Sequence, residues 1–125
     1  MNHIVLIALG GAAGALSRHW MVNLVNSFHK SHFPFGTITV NLLGSFFIGI
    51  MYVLITERLR LHPDWRSIAM VGFLGAFTTF STFSLETITL LENGQLASAG
   101  TYVMSSVAIC MLAAWGGINL ARLVA

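Results

Sequence analysis

Four stretches of the chain, about residues 4–25, 36–55, 66–91 and 97–120, stay apolar for the roughly 20 residues that a helix needs to cross a bilayer. No other feature narrows the possible folds so far. Backbone groups in lipid have no water to pair with, so only helices and closed barrels span a membrane. These runs far exceed the roughly ten residues of a barrel strand. The sequence therefore predicts an all-α integral membrane protein with four transmembrane helices, residues 1–125 forming a single membrane domain. Composition agrees: 56% of the residues are hydrophobic and 8% are charged, against roughly 25% charged in soluble domains. A formal net charge of +2 drawn from so few groups argues against nucleic acid as a partner. Cys110 stands alone and has no intrachain disulfide partner. Ile4 to Leu16 has the length of a signal-peptide core. However, no Lys or Arg precedes it, and Arg18, His19 and Trp20 interrupt a cleavage region, so a spanning segment is expected instead.

The connections are "NSFHKSHFPFG", "TERLRLHPDW" and "ENGQ", the last two punctuated by Pro63 and by Asn93-Gly94. One side of the membrane receives both termini and the second connection, with Arg58, Arg60, Arg66 and Arg122. The other side receives Lys30, and Arg18 leans towards it. The excess places the N-terminus inside, weakly enough to permit insertion both ways. Small residues at four-residue spacing (Gly10 and Gly14, Gly11 and Ala15, Ser45 and Gly49) let backbones approach closely, either within one subunit or between subunits.

Polar side chains inside the spans are the candidates for function. Thr37, Asn41 and Ser45 share one face of the second helix. The Asn41 amide offers two donors, and serves either as interhelical glue or as an ion contact. Tyr102, Ser106 and Cys110 repeat the four-residue spacing on the fourth helix. In the third, "GFLGAFTTFSTFSLE" mixes Phe77, Phe80 and Phe83 with five hydroxyls. An aromatic ring has a positive edge. Ring edges can border an anion while hydroxyl and amide hydrogens supply donors; the alternative is plain lipid contact. Gly72 and Gly75, followed by β-branched and hydroxyl residues, predict a break in the third helix near Gly75, and carbonyls freed at that depth can hold a small cation. Packing glycines in a straight helix are the other possibility. Arg18 and Glu86 lie inside spans, as functional charges or as snorkelling side chains. Nothing in the chain has the pattern of paired catalytic carboxylates, a nucleophile with its base, or a phosphate-binding loop, so an enzyme is not expected.

Taken together, "GGAAGALSR", "GTITVNLLGSFFIG" and "GFLGAFTTFSTFSLE" resemble the Fluc (CrcB) family of fluoride channels over essentially the whole chain. The resemblance implies a fluoride-selective passive channel in a bacterial inner membrane that lowers cytoplasmic fluoride. It implies an antiparallel, dual-topology homodimer with two pores. By the same likeness Asn41, Phe80, Phe83, Ser81, Thr82, Ser84, Tyr102 and Ser106 belong to the fluoride path, and Arg18 to its vestibule. The carbonyls of Gly75 and Thr78 are implied to hold a structural Na+ between subunits. Cys110 and Ala114 stand where relatives carry hydroxyls. Two rival readings are a proton-coupled multidrug exporter, which wants a carboxylate in the first helix that is absent here, and a non-transporting assembly subunit.

Overall fold

The computed structural model describes residues 2–125, and every regular element among them is helical. Four helical spans cross the molecule: His3–Ser27, Phe35–Arg58, Pro63–Glu92 and Leu96–Val124. Each extends beyond the apolar run read from the sequence, because polar residues at the ends continue the helical ladder.

Helix α1 (His3–Ser27) opens on Asn2, whose side-chain oxygen accepts the Ile4 N–H at 2.8 Å. Helix α2 (Phe35–Tyr52) starts after Pro34 with no side-chain cap of its own. Its free Gly36 N–H is taken instead by Asn26 Oδ1 at 2.9 Å, which ties the end of α1 to the start of α2. Beyond Tyr52 the second span widens into a π-helical stretch, Val53–Arg58. The third span is assembled from α3 (Pro63–Trp65), a π-helical run over Arg66–Leu74, α4 (Gly75–Phe77) and α5 (Phe80–Glu92). Helix α6 (Leu96–Val124) is unbroken.

The termini and the second connection meet at one end, as four alternating spans require. His3 Nδ1 lies 2.7 Å from Ser67 Oγ. Arg122 donates to both carboxylate oxygens of Glu57, at 3.1 and 2.7 Å, and Arg58 donates to the Arg122 carbonyl at 3.0 Å. The Glu57, Arg58 and Arg122 groups are exposed and fix geometry more than they add stability.

Packing within the chain explains the glycine pairs. A Cβ on Gly10 would overlap the Ile68 carbonyl, and one on Gly14 the Phe73 carbonyl, so α1 lies backbone to backbone against the first half of the third span. Gly49 stands in the same relation to the Ala114 carbonyl and Gly117 to that of Phe46, locking α2 to α6. The close approaches at Gly10, Gly14 and Gly49 are thus made inside one subunit, whereas a Cβ on Gly11 would come no nearer than 3.9 Å to the Gly72 carbonyl. A buried cluster of Phe83, Leu90, Ala99 and Tyr102 joins α5 to α6, with Phe33 and Ile38 packed against it.

Candidate functional site

The third span breaks at Thr78–Thr79. Thr78 has φ −94°, ψ 160° and Thr79 has φ −153°, ψ 122°, both extended. Gly75, where the sequence placed the break, is regular helix at φ −61°, ψ −38°. A Cβ on Gly75 would make only ordinary contact with the Met70 carbonyl. The glycine is therefore not what interrupts the helix; two threonines and an asparagine do so. Thr78 turns its hydroxyl back to the Leu74 carbonyl at 3.0 Å. Thr79 caps α5, its Oγ1 accepting the Thr82 N–H at 3.2 Å, the role that hydroxyls take at helix N-termini.

Asn41 closes the gap from the neighbouring helix. Its Oδ1 accepts the Thr79 N–H at 2.8 Å, and its Nδ2 donates to the Thr79 carbonyl at 3.1 Å. The Thr79 N–H would otherwise close the helical bond to the Gly75 carbonyl. Likewise the Thr82 N–H, drawn to Thr79 Oγ1, no longer reaches the Thr78 carbonyl. Both carbonyls lose their helical donors for a reason legible in side-chain geometry. Asn41 is interhelical glue, and one of its two amide hydrogens remains unspent.

Beside the break lies a groove of about 360 Å³, open along one side. Asn41 and Ser45 line it from α2, Thr78, Phe80 and Phe83 from the third span, and Ser106 and Cys110 from α6. The rings of Phe80 and Phe83 stand 5.4 Å apart at 52°. Phe83 is buried, whereas Phe80 is 77% exposed although it lines the groove. No charged side chain reaches the wall. Its donors are neutral: the free Asn41 hydrogen, the Ser45 and Ser106 hydroxyls and the Cys110 thiol.

The fold gathers Asn41, Phe80, Phe83 and Ser106 of the residues read from the sequence. Tyr102 stands behind Phe83, the ring centroids 5.0 Å apart, and donates to Glu86 Oε1 at 3.1 Å. Ser81 and Thr82 are exposed and off the groove wall, Ser81 Oγ lying 3.3 Å from Thr79 Oγ1. Ser84 commits its hydrogen to the Phe80 carbonyl at 2.9 Å. Arg18 sits half-buried on α1, outside the groove. Sequence reasoning missed Thr79, whose signal is a hydroxyl three residues before Thr82 at a helix start. It also missed Gly44, where a Cβ would overlap the Thr78 methyl. Ser45 was visible in the four-residue spacing but was not assigned to the site.

An integral membrane protein with a charge-free, donor-lined groove at a broken helix is fitted to receive a small ion. The family model described as "CrcB-like protein, Camphor Resistance (CrcB)" matches residues 5–118, and this chain belongs to that family. It is 49% identical over 122 residues to the fluoride-specific ion channel FluC of Hahella chejuensis, covering 98% of this chain and 96% of that protein. It is 46% identical over 121 residues to the protein of the same name from Magnetococcus marinus, covering 97% and 98%. A Coxiella burnetii relative, also named fluoride-specific ion channel FluC, is 42% identical over 121 residues, covering 96% and 98%.

Proposed function

We propose that this chain is a subunit of a passive, fluoride-selective channel, a conduit with no bond chemistry of its own, which lowers cytoplasmic fluoride. The observation that carries this reading is the groove: neutral donors and two phenylalanine rings, with no carboxylate, beside the break in the third span. Bringing even a carboxylate-sized ion into a medium of low dielectric costs on the order of 20 kcal/mol. A smaller anion holds its water more tightly still, so several donors must replace that water at once. The free Asn41 hydrogen, Ser106 and Cys110 supply them, and the edges of Phe80 and Phe83 fill the spaces between. A width set by these rings rejects larger halides.

The open side of the groove supports a second copy as its cover. Phe80, Ser81 and Thr82, exposed in one chain, would then border the path together with the partner. The weak charge bias fits an antiparallel pair, whose two-fold axis lies in the membrane plane. The carbonyls of Gly75 and Thr78, released from the helical ladder by Asn41 and Thr79, suit a sodium ion, which unwound carbonyls coordinate in membrane proteins. Bound there, sodium supplies a fixed positive charge that favours anions nearby. Arg18 belongs to the vestibule in this arrangement, raising the local anion concentration. The membrane is the bacterial inner membrane.

Cells lacking their own fluoride export should grow, when they express this chain, in fluoride that arrests the vector control. Equal arrest of both, with the protein present in the membrane, would count against the protective role. A C-terminal tag on the functional protein should be labelled from both sides of the membrane. Labelling from one side alone contradicts the antiparallel pair and leaves the channel reading standing.

A further inference from the structure

Cys110 is the only cysteine in the chain, and passage of an anion does not require a sulfur at its position. It is half-buried on α6 and lines the groove beside the break. A free cysteine in a core behaves as a small apolar filler. The surroundings of Cys110 are different. Ser45 lies beside the thiol from α2, and Met111 brings a second sulfur to the same groove. Ser106, one turn before Cys110 on α6, lines it too.

Ser106 is buried, 6% exposed, and its Oγ has no hydrogen-bond partner. Other hydroxyls in these helices return their hydrogen to the carbonyl four residues back, as Thr39, Ser84, Thr87 and Thr89 do. An unpaired buried hydroxyl costs free energy, the more so where lipid rather than water surrounds the helix. On a groove wall it points to an occupant from outside the chain. Fluoride is one such occupant, and the two sulfurs define another. Thiolate and thioether sulfur are soft ligands and select soft metals. Among the described residues no carboxylate, imidazole or ammonium group lines the groove, so no harder ligand competes there. The same lack of counter-charge makes the desolvation of a bare metal dication prohibitive. A metal that enters must arrive uncharged, as a neutral halide complex.

We propose that Cys110 is a covalent binding site for a soft, thiophilic metal delivered as a neutral complex, and that the bound metal stops the fluoride path. With mercuric chloride as the probe, the step balances without an oxidant. An S–Hg bond forms as one Hg–Cl bond breaks, the chloride leaves with its electron pair, and the thiol proton passes to buffer. The second chloride stays on the metal. The Met111 thioether and the unpartnered Ser106 hydroxyl share the groove with this adduct as weak further ligands. The blocking effect rests on the channel reading above; the binding of the metal does not.

The test has two readouts on wild-type protein, Cys110→Ser and Cys110→Ala: the intact mass of each chain after mercuric chloride, and fluoride efflux from liposomes before and after treatment in chloride-containing medium. Protein-free vesicles control for leak. Wild-type chains should gain one mercury each, lose most of their fluoride flux while remaining assembled, and recover the flux when dithiothreitol removes the metal. Each variant is compared with its own untreated rate, and treatment should change neither its mass nor that rate. Wild-type protein that takes no mercury overturns the proposal. So does protein that carries mercury and conducts as before, since the thiol would then stand off the path. A variant blocked as fully as wild type assigns the effect to another group and overturns it. Loss of the assembled species, or flux that dithiothreitol does not restore, overturns it by showing damage to the fold in place of a stopper. Untreated wild-type protein that passes no fluoride overturns the channel reading instead, and the mass of the treated chain still decides whether Cys110 takes the metal.

Discussion

Asn41→Leu should abolish fluoride flux and straighten the third span. The two bonds from Asn41 to the Thr79 backbone are the hydrogen bonds that join the break to α2 among the described residues. Without them the Thr79 N–H and carbonyl have two courses. Left unpaired, they cost about 1–3 kcal/mol each, with no lipid group to take their place. Alternatively the helix closes, Thr79 N–H returns to the Gly75 carbonyl, and the proposed sodium site is lost with the break. Either way the dimer should be weaker, and its dependence on sodium should shrink or vanish. Asn41→Asp is a finer probe. It keeps an acceptor for the Thr79 N–H but sets an oxygen against the Thr79 carbonyl, where an N–H stood. Dimer stability measured with and without sodium, alongside flux, checks both variants. An Asn41→Leu protein with unchanged sodium dependence would separate Asn41 from the break.

Phe80→Ile should leave the subunit folded and cut fluoride flux about thirtyfold, taking about 2 kcal/mol for a desolvated ring–ion attraction. At 77% exposed the Phe80 ring contributes little to the core of its own chain, yet it stands on the groove wall beside Phe83. Isoleucine keeps the apolar surface and discards the quadrupole. Phe83→Ile is the less clean experiment, because Phe83 is buried against Tyr102 and Leu90, and its loss leaves a cavity as well. Normal expression and assembly of Phe80→Ile with wild-type flux would remove the ring edge from the mechanism.

The spans were legible because hydropathy over some twenty residues is a strong local signal, and their alternation placed the termini and the Glu57–Arg122 pair at one end. The break was legible only in part. Gly75 drew attention to the right region, but the interruption is set by Thr79, whose backbone is captured by a residue 38 positions away. No local pattern records such a pairing. The glycines announced close packing without naming the partner, since only the fold sets Gly14 against Phe73 and Gly49 against Ala114. Asn41, Phe80, Phe83 and Ser106 converge on one groove, and the four-residue spacings on α2 and α6 had already put the right faces together. Ser81, Thr82 and Ser84 were read from a motif, and in one subunit they lie off the groove wall or are spent on their own helix.

Selective passage of fluoride can be read from vesicle efflux. Liposomes loaded with potassium fluoride or potassium chloride, holding purified wild-type protein and given valinomycin to carry the balancing charge, should release fluoride rapidly and retain chloride at the rate of protein-free vesicles. Release of chloride as fast as fluoride, or retention of both by correctly assembled protein, would show that the chain is not a fluoride-selective channel.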